Sequence, residues 1–223
     1  LFIECLLLCN ARLHLASDVG GHYKKHRAHK MHTELLSIFK QIANLDIQEE
    51  NLICDLFKPF TLKKGDFFLE TGLKNNKIGF LKKGLVRYFV YKKDEESTLE
   101  FTKEGEFIAE YQSFIKRGVS VQSIQAIEDC ELLVISYEDL QHIFANTKHG
   151  NLLGRIVVEH RFNIMIDQLL SVYMHTPEQR YNYFIENYSN LAQRIPQYLI
   201  ASYIGIKPQS LSRIRNRYTK GIS

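Results

Sequence analysis

Residues 197–215, QYLIASYIGIKPQSLSRIR, form the most specific pattern in the chain. Two helices that cross steeply through a short turn impose local demands. The first helix needs a small residue where the second passes close, and Ala201 supplies it. The turn needs a residue that accepts a left-handed backbone, and Gly205 stands four positions later. Apolar side chains must enter the crossing from both helices. Ile200, Ile204, Ile206, Leu211 and Ile214 have that spacing. Pro208 suits the first turn of the second helix, where a missing N–H is no loss. The pattern predicts a helix-turn-helix.

The outward face of the second helix carries Gln209, Ser210, Ser212, Arg213, Asn216 and Arg217. A helix of this kind enters the major groove of a duplex with its N-terminal half. Gln209, Ser210, Ser212 and Arg213 are the expected base readers, since Gln pairs with adenine and Arg with guanine through two hydrogen bonds. Lys207, Arg215, Arg217 and Lys220 are expected on phosphates, which fix position without reading sequence. From Gly205 onward there is no acidic residue. A hairpin that only packs has no need of this polar, basic face.

Charge is unevenly spread along the chain. Residues 1–30 carry +3, residues 31–175 carry −4 and residues 176–223 carry +5. A basic end on an acidic body fits a polyanion partner, although charge alone fits a solvated tail equally well.

Upstream, Thr176-Pro177-Glu178 reads as a helix start: cap, first-turn proline, and an acid at the positive helix end. Arg194-Ile195-Pro196 interrupts the pattern before the final helices. Residues 150–174 predict a long helix. Val158, Phe162, Met165, Leu169 and Val172 recur at three- and four-residue steps. A second row runs through Leu152, Ile156, Asn163, Ile166, Leu170 and Tyr173. A helix apolar on two sides needs two packing partners. One side would cover the preceding domain, and Val158, Phe162, Met165 and Leu169 would meet a second copy of the chain. A plain core helix is the competing reading.

Between residues 60 and 135 the grammar is β. Short β-branched and aromatic runs at 67–70, 78–82, 85–92, 97–102, 121–126 and 130–136 are cut by turn residues such as Lys64-Gly65-Asp66 and Lys83-Gly84. Many short strands at even spacing predict a sandwich or barrel. Helices are expected at 33–42, 46–57 and 137–144. Residues 1–30 fit no element and read as a leader, disordered or non-native, with Met31 opening the ordered protein. His22, His26, His29 and His32 have a helical metal-binding spacing, but a disordered basic leader accounts for them.

Composition limits the function classes. The 223 residues are 45% hydrophobic and 24% charged, an ordinary globular mixture that excludes a mainly disordered chain. No apolar run reaches the roughly 18–20 residues of a membrane span. Four scattered cysteines make no disulfide framework, so a cytoplasmic location is expected. No nucleophile elbow, phosphate loop or HExxH motif is present, and no enzyme is expected.

From about Met31 onward the chain resembles the Crp/Fnr family of transcription regulators, most closely the short Bacteroidetes-type form. The resemblance rests on residues 176–181 (TPEQRY), 194–197 (RIPQ), 200–206 (IASYIGI) and 211–215 (LSRIR). It rests more loosely on Lys64-Gly65-Asp66, Lys83-Gly84 and residues 105–110 (GEFIAE). It implies an α+β fold: an N-terminal jelly roll (double-stranded β-helix) of the cyclic-nucleotide-binding kind over 31–147, a dimerisation helix over 148–175, and a DNA-binding helix-turn-helix domain over 176–223. It implies a homodimer on a palindromic duplex site, with RNA polymerase as a further partner and no membrane. With the chain ending soon after the second helix, the β-wing of longer relatives is expected to be missing.

The effector site of that family departs from the cyclic-AMP pattern here. Cyclic-AMP binders place Gly-Glu at a short helix start and Arg-Ser or Arg-Thr about ten residues on. This chain has Ala109-Glu110 and Ser120-Val121 at those places. The glutamate for the ribose is kept and the arginine for the phosphate is lost, so Lys116 or Arg117 would have to substitute. Cyclic AMP is therefore disfavoured, and the effector, if there is one, is unassigned. The cluster-binding branch uses four grouped cysteines, whereas Cys5, Cys9, Cys54 and Cys130 are dispersed. His142, His149, His160 and His175 read as ordinary helix or surface residues rather than haem ligands. No cofactor and no metal are expected. A small-molecule sensor without a direct role on DNA is the alternative function.

Overall fold

The computed structural model describes residues 22–93 and 95–219. Two helices open it, α1 (His22–Ile42) and α2 (Ile47–Leu56). Eight strands follow: β1 (Lys58–Leu62), β2 (Phe67–Leu69), β3 (Lys77–Lys83), β4 (Val86–Lys92), β5 (Glu95–Thr102), β6 (Phe107–Ile108), β7 (Ser123–Ala126) and β8 (Cys130–Ser136). A short helix α3 (Tyr111–Lys116) lies between β6 and β7. The chain ends in α4 (Tyr137–Asn146), α5 (Gly150–Met174), α6 (Pro177–Asn187), α7 (Gln197–Ile204) and α8 (Pro208–Thr219).

Local chemistry sets the helix starts. Asp46 accepts the N–H groups of Gln48 and Glu49, and the Glu49 carboxylate accepts the Asp46 N–H in return. This reciprocal cap satisfies donors the helix cannot pair itself, at about 1 kcal/mol for the cap residue. Thr176 and Gln179 repeat the device at α6, with Pro177 in the first turn.

The strands form two antiparallel sheets, β1-β8-β3-β6 and β2-β7-β4-β5. Alternate side chains point between the sheets, and Phe68, Leu81, Val86, Ile108, Ile124 and Leu132 fill the roll. A second core joins Leu35, Phe39, Ile53 and Phe57 of the opening helices and their junction to Phe80, Leu133 and Ile135 of the roll, and to Ile143 and Leu153 beyond it. A third core holds the C-terminal helices together and reaches into the roll through Leu85, Phe101 and Ile127. The expected jelly roll, long helix and helical C-terminal end are all present.

Three expectations change. The leader was expected to lack structure up to residue 30, but α1 begins at His22 and takes in the last nine of those residues. Its downstream half anchors it: Leu35, Leu36 and Phe39 are buried, and His32 is 1% exposed with Nε2 2.8 Å from the Phe57 carbonyl. His32 is thus a core residue, and no group of potential ligands among the described residues is arranged to hold a metal ion. Strand β1 contains Pro59, which breaks a strand signal in sequence but is tolerated here because β1 lies at a sheet edge. The run expected from Val121 starts at Ser123, since Ser120 turns the chain by donating its hydroxyl to the Gln122 carbonyl and accepting the Gln122 N–H.

Candidate functional site

The crossing of α7 and α8 is built as its residues require. Ala201 is fully buried between the helices, with Ile200, Ile204 and Leu211 around it and Ile206 and Ile214 packed at the margin. Gly205 closes α7 at φ +80°, and its N–H meets the carbonyls of Ala201 and Ser202. That left-handed conformation is the reason for glycine at this position.

One face of α8 remains open to solvent. Gln209, Ser210, Ser212 and Arg213 are exposed there, and so are Lys207, Arg215 and Arg217. The side chains expected to read bases and those expected to meet phosphates therefore share one accessible surface. Arg217 is also engaged locally, donating to Glu178 on α6 at 2.8 Å. The pair is exposed on both sides, so exchanging it for a phosphate costs little. Lys220 lies outside the described residues.

Two arginines orient this head. Arg180 on α6 donates Nε to the Ile204 carbonyl at the end of α7, and Nη1 to the His175 carbonyl just past α5. It ties the long helix to the turn of the head. Arg194 reaches the roll instead. It donates to Glu128 at 2.9 and 2.6 Å and to Glu104 at 3.1 and 2.7 Å. Burial pushes the Glu104 carboxyl up, but hydrogen bonds from Arg194 and from the Gly84 amide outweigh it and hold the group below its ordinary range. Beside this clamp Phe101 of β5 packs against Phe184 and Tyr203. Ser202 completes the contact, its Oγ accepting the Thr98 N–H and donating to the Glu96 carbonyl. Sequence patterns did not single out Arg194 or Phe101 for this role, because each acts on residues remote along the chain.

Between the roll and α5 lies a cavity of about 620 Å³. Ala109 and Glu110 line it, whereas Ser120 and Val121 do not. Ser120 is 2% exposed and spends its hydroxyl on the turn, while Val121 is 66% exposed. Glu110 is also committed: it caps α3, accepting the N–H groups of Gln112 and Ser113. Arg117 does not reach in as a substitute cation, for it pairs with Glu138 and lies over the Tyr137 ring. The buried Tyr88 hydroxyl accepts the Ala109 N–H at 3.0 Å, and burial pushes this phenol up. On α5, Arg161 grips both oxygens of Glu100, at 2.5 and 2.8 Å. Cys54 and Cys130 are core residues whose thiols burial pushes up to about 11. Cys5 and Cys9 fall outside the described residues. No helix among the described residues is long and apolar enough to cross a membrane.

A jelly roll, a long helix beside its cavity and a helix-turn-helix head together have counterparts in solved structures of transcription regulators. Residues 59–147 match the cyclic nucleotide-binding domain family. FixK2 from Bradyrhizobium japonicum superposes with a TM-score of 0.65 at 15% identity, over 74% of this chain and 86% of its own. A transcriptional regulator of the crp/fnr family from Eubacterium rectale gives 0.62 at 18% identity, over 80% and 86%. The c-di-GMP-responsive global regulator CLP of Xanthomonas campestris gives 0.63 at 17% identity, over 79% and 93%. No curated protein matches the sequence. The resemblance read in the sequence thus holds for the fold: residues 59–147 match the cyclic nucleotide-binding domain family, and the chain around them shares the fold of the regulators on which it superposes.

Proposed function

We propose that the chain is a sequence-specific DNA-binding transcription regulator that acts as a homodimer on a palindromic site. The observation that carries this is the open face of α8, where Gln209, Ser210, Ser212 and Arg213 stand together with the cations Lys207 and Arg215. The apolar row on α5 supports the dimer: Phe162, Met165 and Leu169 are each more than half exposed in the single chain. Large apolar side chains in a contiguous row call for a partner. Two chains joined along α5 would present their α8 helices about 34 Å apart, one turn of duplex. RNA polymerase is the further partner that this function implies.

Cyclic AMP is a poor candidate for the signal. Its phosphate needs a cation or free amides, and at this site Glu110 occupies amides of α3 while Arg161 is held by Glu100.

Selection from a random duplex pool by the full chain, without added nucleotide, tests the proposal. An enriched palindrome is expected. A folded protein that enriches no sequence, alone or with cell extract, would refute it.

A further inference from the structure

We infer that the head is seated on the roll under tension: the Arg194 clamp holds it shut, while Thr98 and Arg87, polar groups buried beneath it without full pairing, push it open.

Strand geometry puts both groups under the head. Alternate residues of a strand share a face. On β4, Val86 and Tyr88 enter the core of the roll, so Arg87, Phe89 and Tyr91 lie on the outer face of the sheet. On β5, Phe101 stands opposite Arg87 and Thr98 stands opposite Phe89, so both belong to that outer face. The head covers this face. Phe101 packs against Phe184 and Tyr203, and Ser202 takes the Thr98 N–H.

Pairing beneath the head is incomplete. Thr98 is 4% exposed, and its hydroxyl has no hydrogen-bond partner. Arg87 is 5% exposed. Its Nε and Nη2 donate to Gln125, and Nη2 also meets Glu96 at 2.6 Å, but Nη1 has no partner. The only other buried side-chain atom of this kind among the described residues is Gln168 Nε2 on α5. Burying a hydroxyl unpaired costs more than an ordinary hydrogen bond contributes, and water removes that cost once the head lifts. At the other end of the seat the sign is reversed, for Arg194 donates four hydrogen bonds to Glu104 and Glu128. The seat thus sets a strong clamp against an unfavourable contact. A stimulus that releases the head has to supply only the difference between them.

The test is amide hydrogen exchange at residue 98, read by NMR on the full chain. This N–H is bonded to Ser202, so it exchanges when the head lifts. Thr98→Val keeps the shape and removes the hydroxyl. Corrected for the intrinsic rate of the new residue, exchange should slow at least fivefold. Thr98→Ala and Thr98→Ser differ from each other only in the hydroxyl, and exchange should be slower in Thr98→Ala by a similar factor. Arg194→Met should speed exchange at the same amide at least tenfold.

Faster exchange in Thr98→Val than in the parent chain, or no difference within either pair, means that the hydroxyl is satisfied in the seat, as by a trapped water, and overturns the inference. Exchange at residue 98 that Arg194→Met leaves unmoved separates the clamp from the seat and overturns it equally. Should Thr98→Val fail to fold, the Thr98→Ala and Thr98→Ser pair decides the same question. No duplex enters the measurement, so its outcome is independent of the DNA-binding function proposed above.

Discussion

Arg213 and Gly205 separate two kinds of residue in the head. Arg213 is exposed on α8 and contributes nothing visible to the fold. Arg213→Ala should therefore leave stability unchanged and weaken binding to the selected duplex by at least tenfold, with a smaller effect on random duplex. Equal losses on both would place Arg213 on a phosphate. Gly205 is the opposite case. Its left-handed backbone is the constraint, and a Cβ there would meet nothing closer than Arg180 at 3.6 Å. Gly205→Ala should cost about 1 kcal/mol, through conformation alone. Calorimetry should show this as a melting point lower by roughly 2–4 °C, provided the head melts with the rest. The Gly205 turn and the outward position of Arg213 were legible in sequence because helix crossing and turn chemistry are local. Glu110 was only half legible. Its position was noticed, but its use as a helix cap was not, since Glu is an uncommon residue for that job.

Among the elements, α5 carries the testable surface. Phe162→Glu with Met165→Glu would set four acids on the facing helices of a dimer. Sedimentation at micromolar concentration should then find monomers, with far-UV circular dichroism unchanged, because neither side chain is buried in the single chain. A variant that stays dimeric would move the interface elsewhere. The long helix was read at its full extent because twenty-five residues of sustained periodicity leave little choice. Strand β6 has two residues and no pattern to find, and β1 hides behind Pro59. The cavity was legible only at Ala109 and Glu110, through the family resemblance. Its walls run from Phe39 to Gln168, and no local pattern announces that such distant positions enclose one space.

In the whole molecule, Arg194 holds the head to the roll. Arg194→Met removes four hydrogen bonds at once and should leave the roll intact. Limited proteolysis should cut faster near residue 176, between α5 and α6, than in the parent chain. Acid should act at the same place. The Glu104 carboxyl is held below its ordinary value in the docked state, so its contribution is fully present at neutral pH. It is lost as pH falls out of the ordinary carboxylate range and through the lowered value. Cleavage near residue 176 should therefore rise on acidification with an acid-active protease, and Arg194→Met should flatten that rise. An unchanged rise would put the pH response elsewhere.

The seat of the head on β5 has a further consequence. β5 ends its sheet, and Ser202 occupies the Thr98 N–H and the Glu96 carbonyl on its free side. An uncovered edge of this sort is a template on which another strand can grow. The docked head is thus also a guard against self-association. Whatever frees it would expose this seam to other chains, so seating of the head and solubility would be linked through one serine hydroxyl and the helix that carries it. Chains cut at residue 176 should scatter light sooner on warming than intact chains at equal concentration.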